Sequence, residues 1–198
     1  MPQQKPAGQC WLLKTEPGKF SIQDLAKSKN QTTFWNGVRN YQARNYLRDQ
    51  LRPGDRVLLY HSNTEPNAVV GTATVVREGY PDHSAFDRGD RYFDPKSNRE
   101  QPTWYMVDVK LVEIFPRAIS LAELRGQPAL AEMELLRRGS RLSVQPVRAS
   151  EYAAIVKLAH SESAAPAIPA APPAKTKRAP ARATAGKAQR KTTTRRTK

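Results

Sequence analysis

The amino-acid composition changes abruptly near residue 160, and this change limits how much of the chain can fold. Within residues 161–198 the only large apolar residue is Ile168, and most other positions are Ala, Pro, Thr, Lys or Arg. Such a segment cannot bury enough apolar surface to offset the entropy lost on ordering. We therefore expect a polar lead-in over residues 1–9, one folded domain over 10–159 and a disordered, basic tail over 160–198.

Positive charge is concentrated in the same C-terminal segment. Of a formal net charge of +15, residues 161–198 carry +9, from ten Lys or Arg side chains and one Glu. This asymmetry, with an isoelectric point near 10.2, indicates an anionic polymer as the partner.

Other features of the sequence argue against several classes of protein. The single cysteine, Cys10, cannot form an internal disulfide, and no Cys/His cluster has the spacing of zinc ligands. The N-terminus lacks the apolar core of a secretory signal peptide, and no stretch approaches the roughly 18 apolar residues that span a bilayer. We expect a monomeric, cytoplasmic protein without metal, cofactor or membrane contact, located at the nucleoid in a bacterium or in the nucleus of a eukaryote.

The order of the predicted elements indicates the fold class. Hydrophobic patterns predict strands at residues 10–14, 32–35, 56–61, 68–77, 103–115 and 141–144, and helices at 22–29, 40–50, just after Ser120, at 129–137 and at 150–158, the last capped by Ser150. Residues 78–102 predict a long polar loop. Strands and helices do not alternate as a parallel doubly wound sheet requires, so we expect an α+β fold with a small, mostly antiparallel sheet or pseudo-barrel flanked by short helices.

Motifs typical of enzymes are mostly absent. The chain has no GxSxG elbow, phosphate-binding loop, dinucleotide-binding glycine pattern or HExxH helix. A catalytic alternative would use His61 or His83 as a general base acting on nucleic acid or a nucleotide. We expect a binding protein instead.

An aromatic and amide cluster at residues 34–41 is the strongest candidate site. The indole of Trp35 can stack on a base, the amides of Asn36 and Asn40 can pair with a base edge, and the start of the following helix favours an anionic oxygen. In the alternative interpretation, Trp35 and Tyr41 are core residues and Asn40 is a helix cap. His61 and Ser62 add short polar side chains directly after a buried strand, where they also suit a turn.

Several motifs in the same order give the chain a resemblance to a known family. They are WLLKTEP at residues 11–17, WNGVRNYQARN at 35–45, YHSN at 60–63, YPD at 80–82 and RLSVQP at 141–146. Through them, residues 10–159 closely resemble the EVE domain family. That resemblance implies a PUA-like pseudo-barrel related to YTH domains, and a reader of modified bases, with modified cytosine in DNA among its proposed ligands and no established catalytic activity.

The resemblance also implies which residues form a base-binding pocket. Carried over position by position, they are Lys14, Thr15, Glu16, Trp35, Gly37, Val38, Arg39, Asn40, His61, Ser62, Tyr80, Pro81, Ser143 and Gln145. We add Asn36, which lies between two of these segments, and Trp104, which either covers the pocket mouth or packs in the core.

Phosphate contacts are expected from two groups of cations. Arg39, Arg44 and Arg48 have near-helical spacing and predict a basic stripe beside the pocket, although they also suit a solvated helix face. In the tail, the candidates are Lys175, Lys177, Arg178, Lys191, Arg195 and Arg196. Their binding should be strong, indifferent to sequence and sensitive to salt. We expect nucleic acid as the partner, with DNA favoured over RNA; in the alternative, a histone-like protein compacts DNA through the tail alone.

Overall fold

The computed structural model describes residues 8–161, so residues 1–7 and 162–198, including most of the expected lead-in and tail, lie outside it. The strands are β1 (Cys10–Thr15), β2 (Thr32–Trp35), β3 (Arg56–His61), β4 (Ala68–Pro81), β5 (Tyr105–Ser120) and β6 (Val144–Val147), and the α-helices are α1 (Ile22–Lys27), α2 (Tyr41–Asp49), α3 (Leu121–Arg125) and α4 (Ala149–Ala159). Short 3-10 helices lie at Lys29–Gln31, His83–Phe86, Pro128–Leu130 and Glu134–Leu136. Within residues 8–161, the helices are all too short or too polar to cross a membrane.

The strands form one six-stranded sheet in the order β2-β5-β4-β3-β1-β6. Only β1 and β3 pair in parallel, while the other neighbours are antiparallel. The expected α+β class with a mostly antiparallel sheet is therefore confirmed. In the parallel pair, Cys10 lies beside Arg56 and Thr15 beside His61. The chain segments that follow β1 and β3 consequently leave the sheet side by side.

Two hydrophobic clusters cover the opposite faces of this sheet. Side chains alternate between faces along a strand, and on β1 Trp11 and Leu13 belong to one cluster while Leu12 belongs to the other. The first cluster packs against α1 and α2, and the second against α3, α4 and the 3-10 helices of residues 128–136. The cavity described below lies on the side of the first cluster.

Several predicted elements differ from the observed ones. The predicted helix at 129–137 is wrong, because the chain makes two 3-10 turns that bury Leu130, Met133 and Leu135, a spacing that one helix face cannot supply. The predicted strand at 141–144 lies instead at Val144–Val147, where Pro146 is tolerated because β6 is an edge strand.

The remaining differences concern ends and caps. Strands β4 and β5 continue past their predicted ends, to Pro81 and Ser120, and their pairing contains several bulges. Helix α4 begins one residue before Ser150, and Glu151 accepts a hydrogen bond from the backbone N–H of Arg148 at 2.8 Å, so Ser150 is not the cap.

A buried carboxylate closes the sheet at the amino-terminal ends of β1 and β3. Asp55 is only 4% exposed and accepts hydrogen bonds from the backbone N–H of Gln9, the indole N–H of Trp11 and the backbone N–H of Arg52, at 2.9, 2.9 and 3.0 Å. The Trp11 indole is buried, so the carboxylate satisfies an N–H group that would otherwise be costly to bury.

Candidate functional site

A cavity of about 570 Å³ opens at the carboxyl-terminal ends of β1 and β3. Such a volume is in the range of small-ligand sites. Its lining residues come from the ends of β1 and β3, the segment after β1, strand β2 with the turn that follows it, the long loop after β4 and the approach to β6. They are Lys14, Thr15, Glu16, Lys19, Phe20, Thr33, Phe34, Trp35, Asn36, Gly37, Val38, Ser62, Arg91, Tyr92, Arg141 and Ser143.

Trp35 forms an apolar wall of the cavity while also belonging to the first hydrophobic cluster. Its side chain is 7% exposed, and the ring of Phe20 packs against it edge-on at 6.4 Å between centroids. The indole N–H groups of Trp11 and Trp104 donate to carboxylates, those of Asp55 and Asp94, at 2.9 and 2.6 Å. By contrast, the indole N–H of Trp35 has no hydrogen-bond partner within residues 8–161.

Unengaged polar groups face the same space. Within the described residues, the side chains of Lys14, Asn36, Arg141 and Ser143 make no hydrogen bonds. The Lys14 ammonium is half-buried, and burial lowers its pKa, an effect that nearby Glu134 partly offsets. The ammonium lies over the ring of Tyr60, 6.0 Å from its centroid, but it makes no hydrogen bond, so its N–H donors are available to an acceptor on a ligand.

Other hydroxyl groups of the lining hold the wall together. The hydroxyl of Thr15 donates to the carbonyl of Phe20 at 2.8 Å, and the hydroxyl of Ser62 donates to the carbonyl of Thr15 at 3.2 Å. Glu16 pairs with Lys19 at 2.6 Å. Among charged lining residues, Glu16 is the one carboxylate, against the cations Lys14, Lys19, Arg91 and Arg141, so the site favours an electron-rich ligand.

Gly37 occupies a position that no other residue type fits. Its φ of +76° lies in the left-handed region, and a β-carbon there would lie 2.5 Å from ring atoms of Tyr92. The turn after β2 and the long loop after β4 therefore pack directly against each other, and both line the cavity.

Asp82 fixes this contact between the two walls. Its fully buried side chain accepts hydrogen bonds from the backbone N–H of Gly37 at 2.9 Å and from the guanidinium of Arg39 at 2.7 Å, and also from the backbone and hydroxyl of Ser84. Arg39 in turn donates to the carbonyl of Tyr92. Burial alone would raise the pKa of Asp82, but the hydrogen bonds from Arg39, Ser84 and Gly37 hold it below its ordinary value.

Some residues predicted for the pocket lie outside the cavity lining. Arg39 is engaged with Asp82, as described, and Asn40 caps α2 by accepting from the backbone N–H of Ala43 at 3.0 Å. The ring of Trp104 stacks on Tyr41 at 5.1 Å between centroids, and the indole is only 6% exposed. These side chains support the cavity walls from behind.

Tyr80, Pro81 and Gln145 also lie away from the cavity. The hydroxyl of Tyr80 donates to Asp108, and burial together with that hydrogen bond raises the pKa of the phenol. Pro81 is exposed at the end of β4. Gln145 is fully buried, and its amide donates to Ser140 and to the carbonyl of Leu142 at 3.0 and 3.1 Å.

The histidines considered as general bases are placed differently from each other. His61 is 7% exposed, and its Nε2 accepts a hydrogen bond from the backbone N–H of Ile22 at 3.1 Å. Burial lowers the pKa of His61 to about 4, with a small opposing effect of Asp24. The lone pair of Nε2 therefore already accepts a hydrogen bond from the backbone. His83 is exposed and packs edge-on against Phe34 at 4.8 Å. Within residues 8–161, no group of three or more His, Cys, Asp or Glu side chains could hold a metal ion.

The three arginines that were expected to form one basic stripe do not lie on one helix face. Arg39 precedes α2, so it does not share a helix face with Arg44 and Arg48. Arg44 donates to the carbonyl of Thr103, and Arg48 pairs with Asp49 at 2.7 Å. The tail cations Lys175, Lys177, Arg178, Lys191, Arg195 and Arg196 lie outside the described residues.

Sequence reasoning missed part of the lining. The missed residues are Lys19, Phe20, Thr33, Phe34, Arg91, Tyr92 and Arg141. Phe34 lies within the aromatic cluster and Arg141 within the RLSVQP motif, so both could have been included. Arg91 and Tyr92 lie in a loop without regular spacing, and contacts of that loop with Gly37 and Arg39 bring them to the site.

Comparisons with known proteins give consistent matches over the described fold. The family model described as "EVE domain" matches residues 9–158. Thymocyte nuclear protein 1 of Gallus gallus is 43% identical over 166 residues, which cover 75% of this chain and 67% of that protein.

Two solved structures show the same architecture. A hypothetical protein from Leishmania major is 51% identical, with a TM-score of 0.73 and coverage of 77% of this chain and 94% of that one. The human THYN1 protein, in a crystal complex with DNA containing 5-methylcytosine, is 40% identical, with a TM-score of 0.72 and coverage of 78% and 99%. The PUA-like fold class expected from the sequence is confirmed.

Proposed function

Because this chain belongs to the EVE domain family, we propose that it is a nucleic-acid reader that takes one modified base into the cavity beside Trp35. The favoured ligand is DNA containing 5-methylcytosine, since the human THYN1 relative is found in complex with such DNA. The observation that carries the proposal is the combination, in one open cavity, of an indole wall and hydrogen-bonding groups that the protein itself leaves unused.

The chemistry of the lining suits a planar heterocycle. Trp35 and Phe20 offer apolar surface for the ring and for a methyl group, while the Lys14 ammonium, the Asn36 amide and the Trp35 indole N–H can pair with the base edge. Burying one methyl group contributes about 0.8 kcal/mol, or roughly a fourfold preference. A base in a duplex must leave the stack to reach such a site, which costs a few kcal/mol.

The proposed activity is binding without turnover. A general base must be able to accept a proton from the substrate, whereas the lone pair of His61 is already bonded to Ile22 and its pKa is lowered to about 4. The tail cations Lys175, Lys177, Arg178, Lys191, Arg195 and Arg196 are proposed to add sequence-independent phosphate affinity. On this proposal, the protein is located in the same cellular compartment as the modified nucleic acid that it binds.

A binding assay with the full-length chain tests the proposal. Fluorescence anisotropy is measured with two labelled single-stranded DNA oligonucleotides that differ only in one 5-methylcytosine, and with their duplexes. The unsubstituted chain is expected to prefer the methylated oligonucleotide by about fourfold or more. Trp35→Ala should abolish the preference. Because Trp35 also belongs to the core, Asn36→Ala provides a second variant that should weaken binding of both oligonucleotides without loss of folding.

The controls separate the cavity from the tail. Gln101→Ala changes an exposed amide outside the cavity and should leave binding unchanged. Replacing the six tail cations with Gln should weaken binding of both oligonucleotides by the same factor and reduce the dependence on salt. The cavity assignment is wrong if Trp35→Ala is folded and keeps the methyl preference. Selective binding that disappears with the tail substitutions alone would favour the tail-only alternative.

A further inference from the structure

A second depression lies next to the cavity and has a different chemical character. This groove, of about 580 Å³, runs between the start of α2 and the segment at residues 137–142. It is lined by Arg137, Arg138 and Arg141 together with the amide side chains of Asn40 and Gln42. Whereas the cavity has aromatic walls, the groove presents mainly guanidinium and amide groups.

The groove and the cavity share one lining residue. Arg141 lines both depressions, and it has no hydrogen-bond or ion-pair partner within residues 8–161. A second link is electrostatic, because Glu134 in the groove wall acts on the half-buried ammonium of Lys14 in the cavity. A strand whose base fills the cavity therefore has this groove beside it.

The arginine segment is held in place by hydrogen bonds to the buried side chain of Gln145. The amide of Gln145 donates to the hydroxyl of Ser140 and the carbonyl of Leu142 from beneath, and that hydroxyl donates to Glu134 at 3.0 Å. Gly139 turns the chain with a φ of +82°. Gln145, which the resemblance placed in the pocket, thus acts as a positioning residue for the groove wall.

The charge of the groove indicates an anion with repeated phosphates. Three arginines face one carboxylate, Glu134, which pairs with Arg137 at 2.9 Å. Arg138 and Arg141 remain without a carboxylate partner in the described chain. Planar guanidinium groups bind phosphate oxygens with two parallel hydrogen bonds, and amide groups supplement them.

We propose that this groove binds the phosphodiester backbone next to the recognised base, with Arg138 and Arg141 as phosphate ligands and Arg137 as a weaker one. The inference rests on the proposed function, because it assigns the groove to the strand whose base fills the cavity. It also assigns a phosphate site within the folded domain, separate from the tail and from Arg44 and Arg48.

The test uses the full-length chain with Arg137→Gln and Arg138→Gln combined, and Arg138→Gln alone. Both positions are exposed, and neither lines the cavity. The charge-matched control combines Lys110→Gln with Lys157→Gln, two exposed lysines that line neither depression. Binding is measured at several salt concentrations with the single-stranded 5-methylcytosine oligonucleotide, and separately with the free 5-methyldeoxycytidine nucleoside, which has no phosphate.

The two arginine substitutions should reduce the slope of log Kd against log salt by about 1, since each phosphate contact of a single strand contributes about 0.7. The control should change the slope by much less, and nucleoside binding should be unaffected by either pair. Equal slopes in the groove variant and the control would overturn the groove assignment while leaving the methyl preference intact. Absence of a methyl preference in the unsubstituted chain would overturn the proposed function, and the groove assignment with it.

Discussion

At their amino-terminal ends, β1 and β3 are closed by Asp55, whereas at their carboxyl-terminal ends the same two strands open into the cavity. The closed end buries a carboxylate with three hydrogen-bond donors around it, including the indole N–H of Trp11. The open end presents the Trp35 indole N–H and the Lys14 ammonium, neither of which makes a hydrogen bond or ion pair in the described chain. Buried polar groups are normally satisfied, so the contrast separates the end that maintains the fold from the end that is available to a ligand.

The largest effect is expected from Asp55→Ala at the closed end. The substitution leaves the buried indole N–H of Trp11 without its acceptor, at about 1–3 kcal/mol, and removes the part-buried hydrogen bonds from the backbone N–H groups of Gln9 and Arg52, at about 0.5–1.5 kcal/mol each. We expect the free energy of unfolding to fall by about 4 kcal/mol in urea denaturation. The methyl preference of the folded fraction should not change. A loss below about 1 kcal/mol would show that the hydrogen bonds accepted by Asp55 do not stabilise this end of the sheet.

A smaller effect is expected from pH at the open end. The folded pKa of His61 is about 4, below its ordinary value, so the unfolded chain binds a proton between pH 6.5 and 4 that the folded chain does not. The contribution of neutral His61 to the free energy of unfolding should therefore be fully present above pH 6.5. It should decrease as the pH falls, by about 2 kcal/mol from pH 7 to pH 5.

The variant His61→Gln isolates this contribution. Glutamine keeps an acceptor for the N–H of Ile22 but does not titrate, so the decrease between pH 7 and 5 should become smaller by the same amount. Urea denaturation of both proteins at the two pH values measures it. An identical pH dependence in the two proteins would contradict the assignment of the shift to His61.

The smallest effect comes from a matched pair of tryptophan substitutions. Trp11→Phe and Trp35→Phe remove similar volumes, but only the first removes a hydrogen bond to a carboxylate. We expect Trp11→Phe to destabilise the fold by about 1.5 kcal/mol more than Trp35→Phe, the usual contribution of a hydrogen bond to a charged group. Binding should show the reverse order, with a loss for Trp35→Phe alone. Equal losses of stability in the two variants would contradict the proposed difference between the indoles of Trp11 and Trp35.

The sequence predicted the parts of the fold that depend on local patterns. The strand Arg56–His61 has its predicted bounds, and helix α1 (Ile22–Lys27) begins at its predicted residue. Residues 129–137 were misassigned because helix-favouring residues there are outweighed by burial of Leu130, Met133 and Leu135 in the second cluster. Local preference is a weak guide where tertiary contacts compete with it.

The candidate site shows the same difference between features that local sequence patterns predict and features that depend on tertiary contacts. The resemblance implies Lys14, Thr15, Glu16 and Ser62 as pocket residues, and they meet because β1 and β3 are parallel neighbours. Tyr80 and Gln145 lie close in sequence to the site but turn toward Asp108 and Ser140, since each finds a hydrogen-bond partner there. Tyr92 and Arg91 reach the cavity through the contacts of Asp82 with residues more than forty positions away, which no local pattern contains.

The bridge formed by Asp82 has a consequence for selectivity by size. One carboxylate holds both the Gly37 turn and, through Arg39, the backbone of Tyr92, so the distance between these two walls is set before any ligand arrives. A preset opening loses little conformational entropy when it is filled. Because Asp82 links the two walls, we expect substitutions at Asp82 to change the size of ligand that the cavity accepts.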